Sequence, residues 1–465
     1  MINHSISPSI FREYDIRGIW GKDLTAETAL LIGRGFGTYL SRVLKKTGNR
    51  VSVGRDVRLS SAEIAENLIR GIAATGIDVV DIGECPTPAQ YFSVHHLGLD
   101  GGIMVTGSHN PPDYNGFKIG VGRETISGEA IQSLKRIIES GEYISGTDGA
   151  GQVSRFPVIP AYREFLRKGF SDFDGIKVVI DAGNGTAGLI VPEMLQAMGA
   201  EVVPLFCNPD GLFPNHHPDP VVGENLLDMI SEVKRGGAHL GIAYDGDADR
   251  LGVVDEEGEI VWGDRLMIIY ARDILRVNPG AKIIGEVKCS QVMYDEISRS
   301  GGVPVMWKTG HSLIKKKMKE EGALLAGEMS GHIFFADRYL GYDDAVYATL
   351  RLLEIMKNNG RPYSIKRLLS GLPMVESTPE IRFDCDDSLK FRVAEKMKEA
   401  FPEYEVTTID GARISFSDGW ALVRASNTQP VLVLRFEAKD GPSLKRIRAF
   451  VEERLSSILH DEEKQ

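Results

Sequence analysis

Three stretches of the chain repeat one arrangement of apolar and polar positions. The first runs from Val51-Ser-Val-Gly-Arg-Asp, through a helical pattern near 61–75, to Gly76-Ile-Asp-Val-Val-Asp-Ile. The second runs from Lys177-Val-Val-Ile-Asp, through a helix near 189–198, to Gly199-Ala-Glu-Val-Val-Pro-Leu. The third runs from Lys282-Ile-Ile-Gly-Glu-Val, through 290–300, to Gly302-Val-Pro-Val-Met-Trp. Each reads as strand, helix, glycine, strand. The glycine suits a helix C-cap, and the order predicts parallel strands joined by a right-handed crossover.

A short apolar strand ending in a polar loop follows each unit. These are Ile103-Met-Val-Thr-Gly-Ser-His-Asn, Leu240-Gly-Ile-Ala-Tyr-Asp-Gly-Asp-Ala-Asp-Arg and Leu324-Leu-Ala-Gly-Glu-Met-Ser-Gly-His. The three most reactive-looking loops thus fall at one place in three related units. That predicts repeated domains aiming equivalent loops at a common centre. After residue 373 the pattern changes to a strand near 378–384, a helix near 387–400, strands near 404–408, 412–416, 420–425 and 431–438, and a helix near 441–459. Hairpin-spaced strands with two helices predict a smaller α+β domain with an antiparallel sheet. Linkers are expected at 146–152, 255–258 and 371–373. Gly33, Gly35 and Gly37 lie inside a helical pattern and read as close packing.

Length agrees with several domains, since 465 residues exceed one core. The composition, 42% apolar and 26% charged, is that of a soluble globular chain. A net charge of −11 argues against non-specific nucleic-acid binding but leaves room for an anionic small substrate at a local basic cluster. No signal-peptide pattern and no membrane-length apolar run is present, so no membrane partner is expected. Cys85, Cys207, Cys289 and Cys385 form no CxxC pair, which fits a reducing, cytoplasmic setting.

The chemistry centres on Thr106-Gly107-Ser108-His109-Asn110-Pro111-Pro112. Asn-Pro and Pro-Pro force a turn after the serine, and the apolar strand before it ends at that point. Ser108 is therefore expected on a stiff loop at a strand end, where α/β proteins place reactive groups. A plain turn with a solvated serine is the alternative. The loop Asp245-Gly-Asp-Ala-Asp-Arg250 sets three carboxylates two residues apart, a hard-oxygen set suited to Mg²⁺ or Ca²⁺. On a straight strand alternate residues stand roughly 6.5–7 Å apart, so the loop must curl to share one ion. An EF-hand fits Asp245, Asp247, Asp249 and Glu256 but has Arg250 where glycine belongs, and a strand precedes it. A haloacid-dehalogenase type of phosphatase is a second rival. Gly183-Asn-Gly185-Thr-Ala-Gly188 matches a dinucleotide fingerprint, but Glu201 opens the next strand instead of ending it.

The serine loop, the acidic loop and Gly327-Glu-Met-Ser-Gly-His332 together resemble the α-D-phosphohexomutase family, nearest its bacterial phosphomannomutase/phosphoglucomutase group. Phe11-Arg-Glu-Tyr-Asp-Ile-Arg-Gly18 and Arg424-Ala-Ser-Asn-Thr-Gln-Pro430 extend the resemblance over the whole chain. It implies an α/β protein with three related mixed α/β domains in tandem and a smaller C-terminal α+β domain, around a central active-site cleft. The implied divisions are a phosphoserine-loop domain at 1–150, a metal-binding domain at 151–256, a sugar-binding domain at 257–370 and a phosphate-binding domain at 371–465.

The implied activity is reversible transfer of phosphate between C1 and C6 of glucose and mannose phosphates. Phosphorylated Ser108 and a hexose 1,6-bisphosphate, also the activator, carry it. Asp245, Asp247 and Asp249, with a Ser108 phosphoryl oxygen, match the Mg²⁺ ligands. Arg250 and Arg17 match residues near the phosphoryl group, and His109 or Lys118 would manage protons. Glu328 and Ser330 match the pair that reads the sugar O3 and O4. Tyr14, like Arg17, matches an N-terminal residue that approaches the same centre, His311 and His332 match histidines near the sugar, and Lys288 is expected to add charge near the phosphate clamp. Arg424, Ser426, Asn427 and Thr428 match the clamp on the unreacting phosphate. A monomer or weak dimer is expected. The alternatives are a phosphoglucosamine mutase, against which Met329 counts, a metal-dependent sugar-phosphate phosphatase, or a non-catalytic sugar-phosphate-binding protein.

Overall fold

The computed structural model describes residues 6–146, 149–427 and 429–463. In the first unit Arg50–Arg55 lies at the sheet centre. It pairs in parallel with Asp78–Glu84 on one side and Gly101–Val105 on the other. Gly101–Val105 then turns back into the antiparallel strand Tyr114–Val121. The second unit repeats this with Lys177–Asp181 between Glu201–Leu205 and Leu240–Tyr244, and an antiparallel return through Leu251–Asp255. The third does so with Lys282–Glu286, Val303–Trp307, Leu325–Gly327 and Ile333–Phe335. In every unit the chain visits one neighbour of the central strand and then the other. The loop leaving the third strand therefore sits at the topological switch point, where open α/β sheets bind ligands.

The strands are this apolar because helices cover them. A continuous core joins the second and third units and one side of the first, from Phe92 and Tyr162 through Ile180 to Leu266 and Phe335. The first unit closes a second core around Phe36, Leu68 and Phe117. The last domain is an antiparallel sheet of six strands, with its own core around Phe401, Val423 and Phe436 beneath helices Lys390–Glu399 and Gly441–Glu463. Among the described residues no helix is long and apolar enough to cross a membrane.

Several expectations shift in detail. The first sheet continues past the linker expected at 146–152, whose residues 147–148 lie outside the described residues, because Val153–Arg155 adds a parallel strand beside Asp78–Glu84. The turn at 255–258 is no linker: it closes a hairpin between Leu251–Asp255 and Ile260–Val261, with Gly258 N donating to Asp255 O at 3.0 Å. The helix expected over 189–198 is broken into a 3₁₀ turn, Thr186–Leu189, and a helix Val191–Ala197. Pro192 fits only at the start of a helix, so the break falls there. Gly76 and Gly199 take the left-handed conformation expected after a helix, but in the third unit Gly301 does so in place of Gly302.

Gly33 packs as its pattern suggested. A Cβ there would stand 2.3 Å from the Leu68 carbonyl oxygen, and one on Gly71 2.1 Å from that of Leu30. Helices Ala26–Leu44 and Ser61–Ala73 thus meet backbone to backbone. Gly33→Ala is expected to force them apart at a cost of about 1–3 kcal/mol, seen as an earlier first transition in thermal unfolding. An unchanged transition would show that the contact is not tight.

Candidate active site

The serine loop is held from beneath. Ser108 takes a φ of 49°, a conformation that costs a non-glycine residue on the order of 1–3 kcal/mol and persists only where the surroundings enforce it. Buried Arg58 does the enforcing. Its guanidinium donates to the carbonyls of Ser108 at 2.8 Å, Asn110 at 2.6 Å and Tyr114 at 3.0 Å, and also to that of Pro111. Asp56 orients Arg58 at 3.1 Å and accepts from Gly107 N at 3.1 Å. Arg17 reaches the same loop through Asn110. The serine is buried, and its Oγ donates to Asp245 Oδ2 at 2.9 Å. His109 Nδ1 lies 3.1 Å from that Oγ. Desolvation, with Arg250 and Arg17 nearby, pushes the His109 ring well below the ordinary histidine range.

The acidic loop curls as three adjacent carboxylates require. Asp245 Oδ1 accepts from the backbone N of Asp249 and of Arg250, each at 3.1 Å, and Ala248 turns left-handed with a φ of 58°. Gly246 presses on the serine loop, where a Cβ would stand 2.5 Å from Ser108 O. All three aspartates are fully buried. Lys118, from the first unit, donates to Asp247 Oδ2 at 2.6 Å and to Asp249 Oδ2. Burial opposes its charge, but the two carboxylates outweigh this and hold Lys118 well above the ordinary lysine value. Thr87 Oγ1 adds a 2.5 Å bond to Asp247 Oδ2. Asp245 has no bond to Lys118: burial, and then the charges of Asp247 and Asp249, push its pKa well up.

This group fits a divalent cation. One oxygen of each aspartate lies within 4.8 Å of the others. The Oδ1 atoms of Asp247 and Asp249 are buried without a hydrogen-bond partner. Hard oxygen donors of this kind suit Mg²⁺-like ions.

The third loop meets the second edge to edge. Leu251 N donates to Gly331 O at 3.0 Å, and Arg250 Nε donates to His332 Nε2 at 3.0 Å. Glu328 is buried with its oxygens accepting from Gly310 N and from Ser330 Oγ, each at 2.8 Å. Buried Glu286 supports the loop by accepting from Met329 N at 3.3 Å and from Thr309 Oγ1 at 3.0 Å. His311 stacks on His332 with ring centres 5.7 Å apart.

The last domain closes over these loops. Arg424 Nε donates to Asp410 Oδ2 at 3.0 Å, and the same oxygen accepts from Thr309 N at 3.1 Å. Asn427 donates to Tyr14 OH, which in turn donates to Thr309 O at 2.9 Å. Ser426 Oγ accepts from Gln429 N at 3.2 Å. Thr428 lies outside the described residues. Lys288 Nζ holds Glu380 Oε2 at 3.0 Å, which lowers the Glu380 pKa to about 2. First, third and fourth units thus meet at Tyr14, Thr309 and Asn427.

Of the dinucleotide-like glycines, Gly185 serves the acidic loop. A Cβ on Gly185 would stand 2.7 Å from Gly246 O, and Thr186 N donates to that same oxygen at 3.0 Å. The EF-hand reading fails, since Glu256 accepts from Ile365 N at 3.0 Å and takes no part in the acidic loop. Asp56, Arg58, Thr87, Glu286, Thr309 and Asp343 belong to the site but escaped the sequence reading. Asp56 and Arg58 had a signal, because they directly follow the central strand of the first unit; Thr87 had none.

Models of four family domains match the chain in order. Phosphoglucomutase/phosphomannomutase domain I matches residues 8–144, domain II 161–258, domain III 262–372 and the C-terminal domain 380–454. A phosphomannomutase/phosphoglucomutase of Pseudomonas aeruginosa is 48% identical over 456 residues, covering 98% of this chain and 97% of the relative. A phosphoglucomutase of Neisseria gonorrhoeae is 44% identical over 448 residues, covering 96% of each. A crystal structure of a phosphoglucomutase/phosphomannomutase family protein from Burkholderia thailandensis superposes with a TM-score of 0.91 at 44% identity, covering 98% of each chain. The chain belongs to the phosphoglucomutase/phosphomannomutase family and is a hexose-phosphate mutase.

The carboxylate group makes a prediction independent of turnover. Asp247→Asn should weaken Mn²⁺ binding, followed by electron paramagnetic resonance, by at least the roughly 10–100-fold that loss of a supporting partner costs. Undiminished affinity would remove Asp247 from the metal set.

Proposed function

We propose that the protein interconverts the 1- and 6-phosphates of glucose and mannose, with Ser108 carrying the phosphoryl group. The observation that carries this reading is the meeting of Ser108 Oγ with Asp245 Oδ2 at 2.9 Å, beside two further buried aspartates. A sugar hydroxyl oxygen attacks the phosphorus of phosphorylated Ser108. The new O–P bond forms as the P–Oγ bond breaks, and the hydroxyl proton passes to a neighbouring base. The hexose 1,6-bisphosphate turns over in the cleft, and Ser108 Oγ takes back the other phosphoryl group.

Asp245, Asp247 and Asp249, with a phosphoryl oxygen on Ser108, would hold Mg²⁺, which when bound neutralises charge on the transferring group. Lys118, bonded to Asp247 and Asp249, sets positive charge beside the acidic loop, and like His109 it is a candidate to manage protons. His109 Nδ1 lies 3.1 Å from the serine oxygen, so it can exchange a proton there. Arg250 and Arg17 steady the phosphoryl group. Glu328 and Ser330 read O3 and O4, whose configuration glucose and mannose share. Tyr14, Lys288, His311 and His332 surround the sugar, and Arg424, Ser426 and Asn427 grip the distal phosphate. The Asn427–Tyr14 bond ties the last domain to the first, so it must open for the bisphosphate to reverse.

Ser108→Ala should remove nearly all conversion of glucose 1-phosphate while sugar-phosphate binding stays measurable by calorimetry. Full turnover in that variant would sink the mechanism, and steady release of inorganic phosphate by the parent enzyme would indicate a phosphatase. Glu328→Ala should raise KM for glucose and mannose phosphates alike; a loss confined to mannose contradicts its role on shared hydroxyls.

A further inference from the structure

The residues that touch Arg250 and His332 point to one more participant. Arg250 Nε always carries a hydrogen, and it donates to His332 Nε2 at 3.0 Å. That nitrogen must therefore offer a lone pair, which places the ring hydrogen of His332 on Nδ1. Nδ1 lies 3.0 Å from Asp343 Oδ2, a charge contact in which neither atom has an aligned hydrogen-bond partner. Asp343 is fully buried, and Lys315 Nζ holds its other oxygen at 3.0 Å. His311 Nδ1 approaches Oδ2 at 3.8 Å, and Asp249 Oδ1 stands 3.7 Å from His332 Nδ1. A chain thus runs from Lys315 through Asp343 and His332 to Arg250, ending at the loop that carries the acidic cluster.

We propose that Asp343 is a positioning residue that selects the Nδ1–H form of His332 and so keeps Nε2 free to orient Arg250. A carboxylate only accepts hydrogen bonds, so Asp343 favours a ring hydrogen on the side facing it. Without it the hydrogen can move to Nε2, where it meets the Arg250 Nε–H head on. Arg250 then loses its aim at the transferring phosphoryl group. Asp343 also has a purely structural task in pairing with Lys315, and the test must separate the two. The functional part of the inference rests on the mutase reading; the assignment of the ring hydrogen does not.

The full-length enzyme labelled with ¹⁵N-histidine gives the first measurement. Two-bond ¹H–¹⁵N spectra, with the His332 signals identified by their loss in His332→Gln, should show the Nδ1–H form in the parent. In Asp343→Asn the pattern should change, and kcat for glucose 1-phosphate should fall roughly 10–100-fold while KM stays within about twofold. An Nε2–H pattern in the parent overturns the proposal whether or not the variant folds. So does a variant that keeps parental kcat and loses only thermal stability, or one whose kcat falls while the His332 pattern is unchanged. If the parent shows the Nδ1–H form but no mutase turnover, the functional reading fails and the hydrogen assignment stands.

Discussion

Three carboxylates buried side by side require positive charge, and in this chain they draw it from another domain. Transferring one carboxylate out of water costs several kcal/mol even after relaxation. Asp245, Asp247 and Asp249 sit on one short loop of the second unit, all fully buried. Lys118, which satisfies two of them, comes from the antiparallel strand of the first unit. Neither group is tolerable in the interior alone. Their mutual need joins the two units at the place where Ser108 meets Asp245. A fixed lysine and a curled acidic loop also leave two carboxylate oxygens unpartnered, ready for a metal ion.

Repetition explains why such partners can meet. In each unit the reactive loop leaves the third strand, beside the central one, and returns antiparallel. Loops placed alike on three sheets converge when the sheets share a core, and the continuous apolar cluster through the three units makes them do so. Beneath each loop lies a buried polar support: Asp56 and Arg58 under the serine, Thr186 and Gly185 under the acidic loop, Glu286 under the Glu328 loop. These supports satisfy backbone groups that a sharp turn would otherwise strand, and they hold Ser108 in its unusual conformation.

Much of this was legible in the chain itself. Alternation and apolar runs located the three parallel strands of each repeated unit and most strands after 378, but not the antiparallel returns Tyr114–Val121, Leu251–Asp255 and Ile333–Phe335. Errors arose where a local rule had two solutions. The turn at 255–258 has linker composition, yet Ile260–Val261 finds a partner strand only after the sheet exists. The pattern over 189–198 is helical, but Pro192 denies the helix its first turn. Gly301 and Gly302 are adjacent, and packing of Gly302 against Leu275 leaves the left-handed turn to Gly301.

By itself the sequence singled out three polar loops, their order, and the chemical types they carry, because stiffness, glycine and charge spacing are local properties. It also determined that the acidic loop must curl. Only the tertiary structure decided which groups answer one another. That Lys118 neutralises two aspartates, that Arg58 anchors the serine loop from fifty residues upstream, and that Asp343 faces His332 are contacts between segments far apart in the chain. Burial sets their strength. A charge buried in the interior must find its counter-charge wherever the fold supplies one, and no local pattern records that distance.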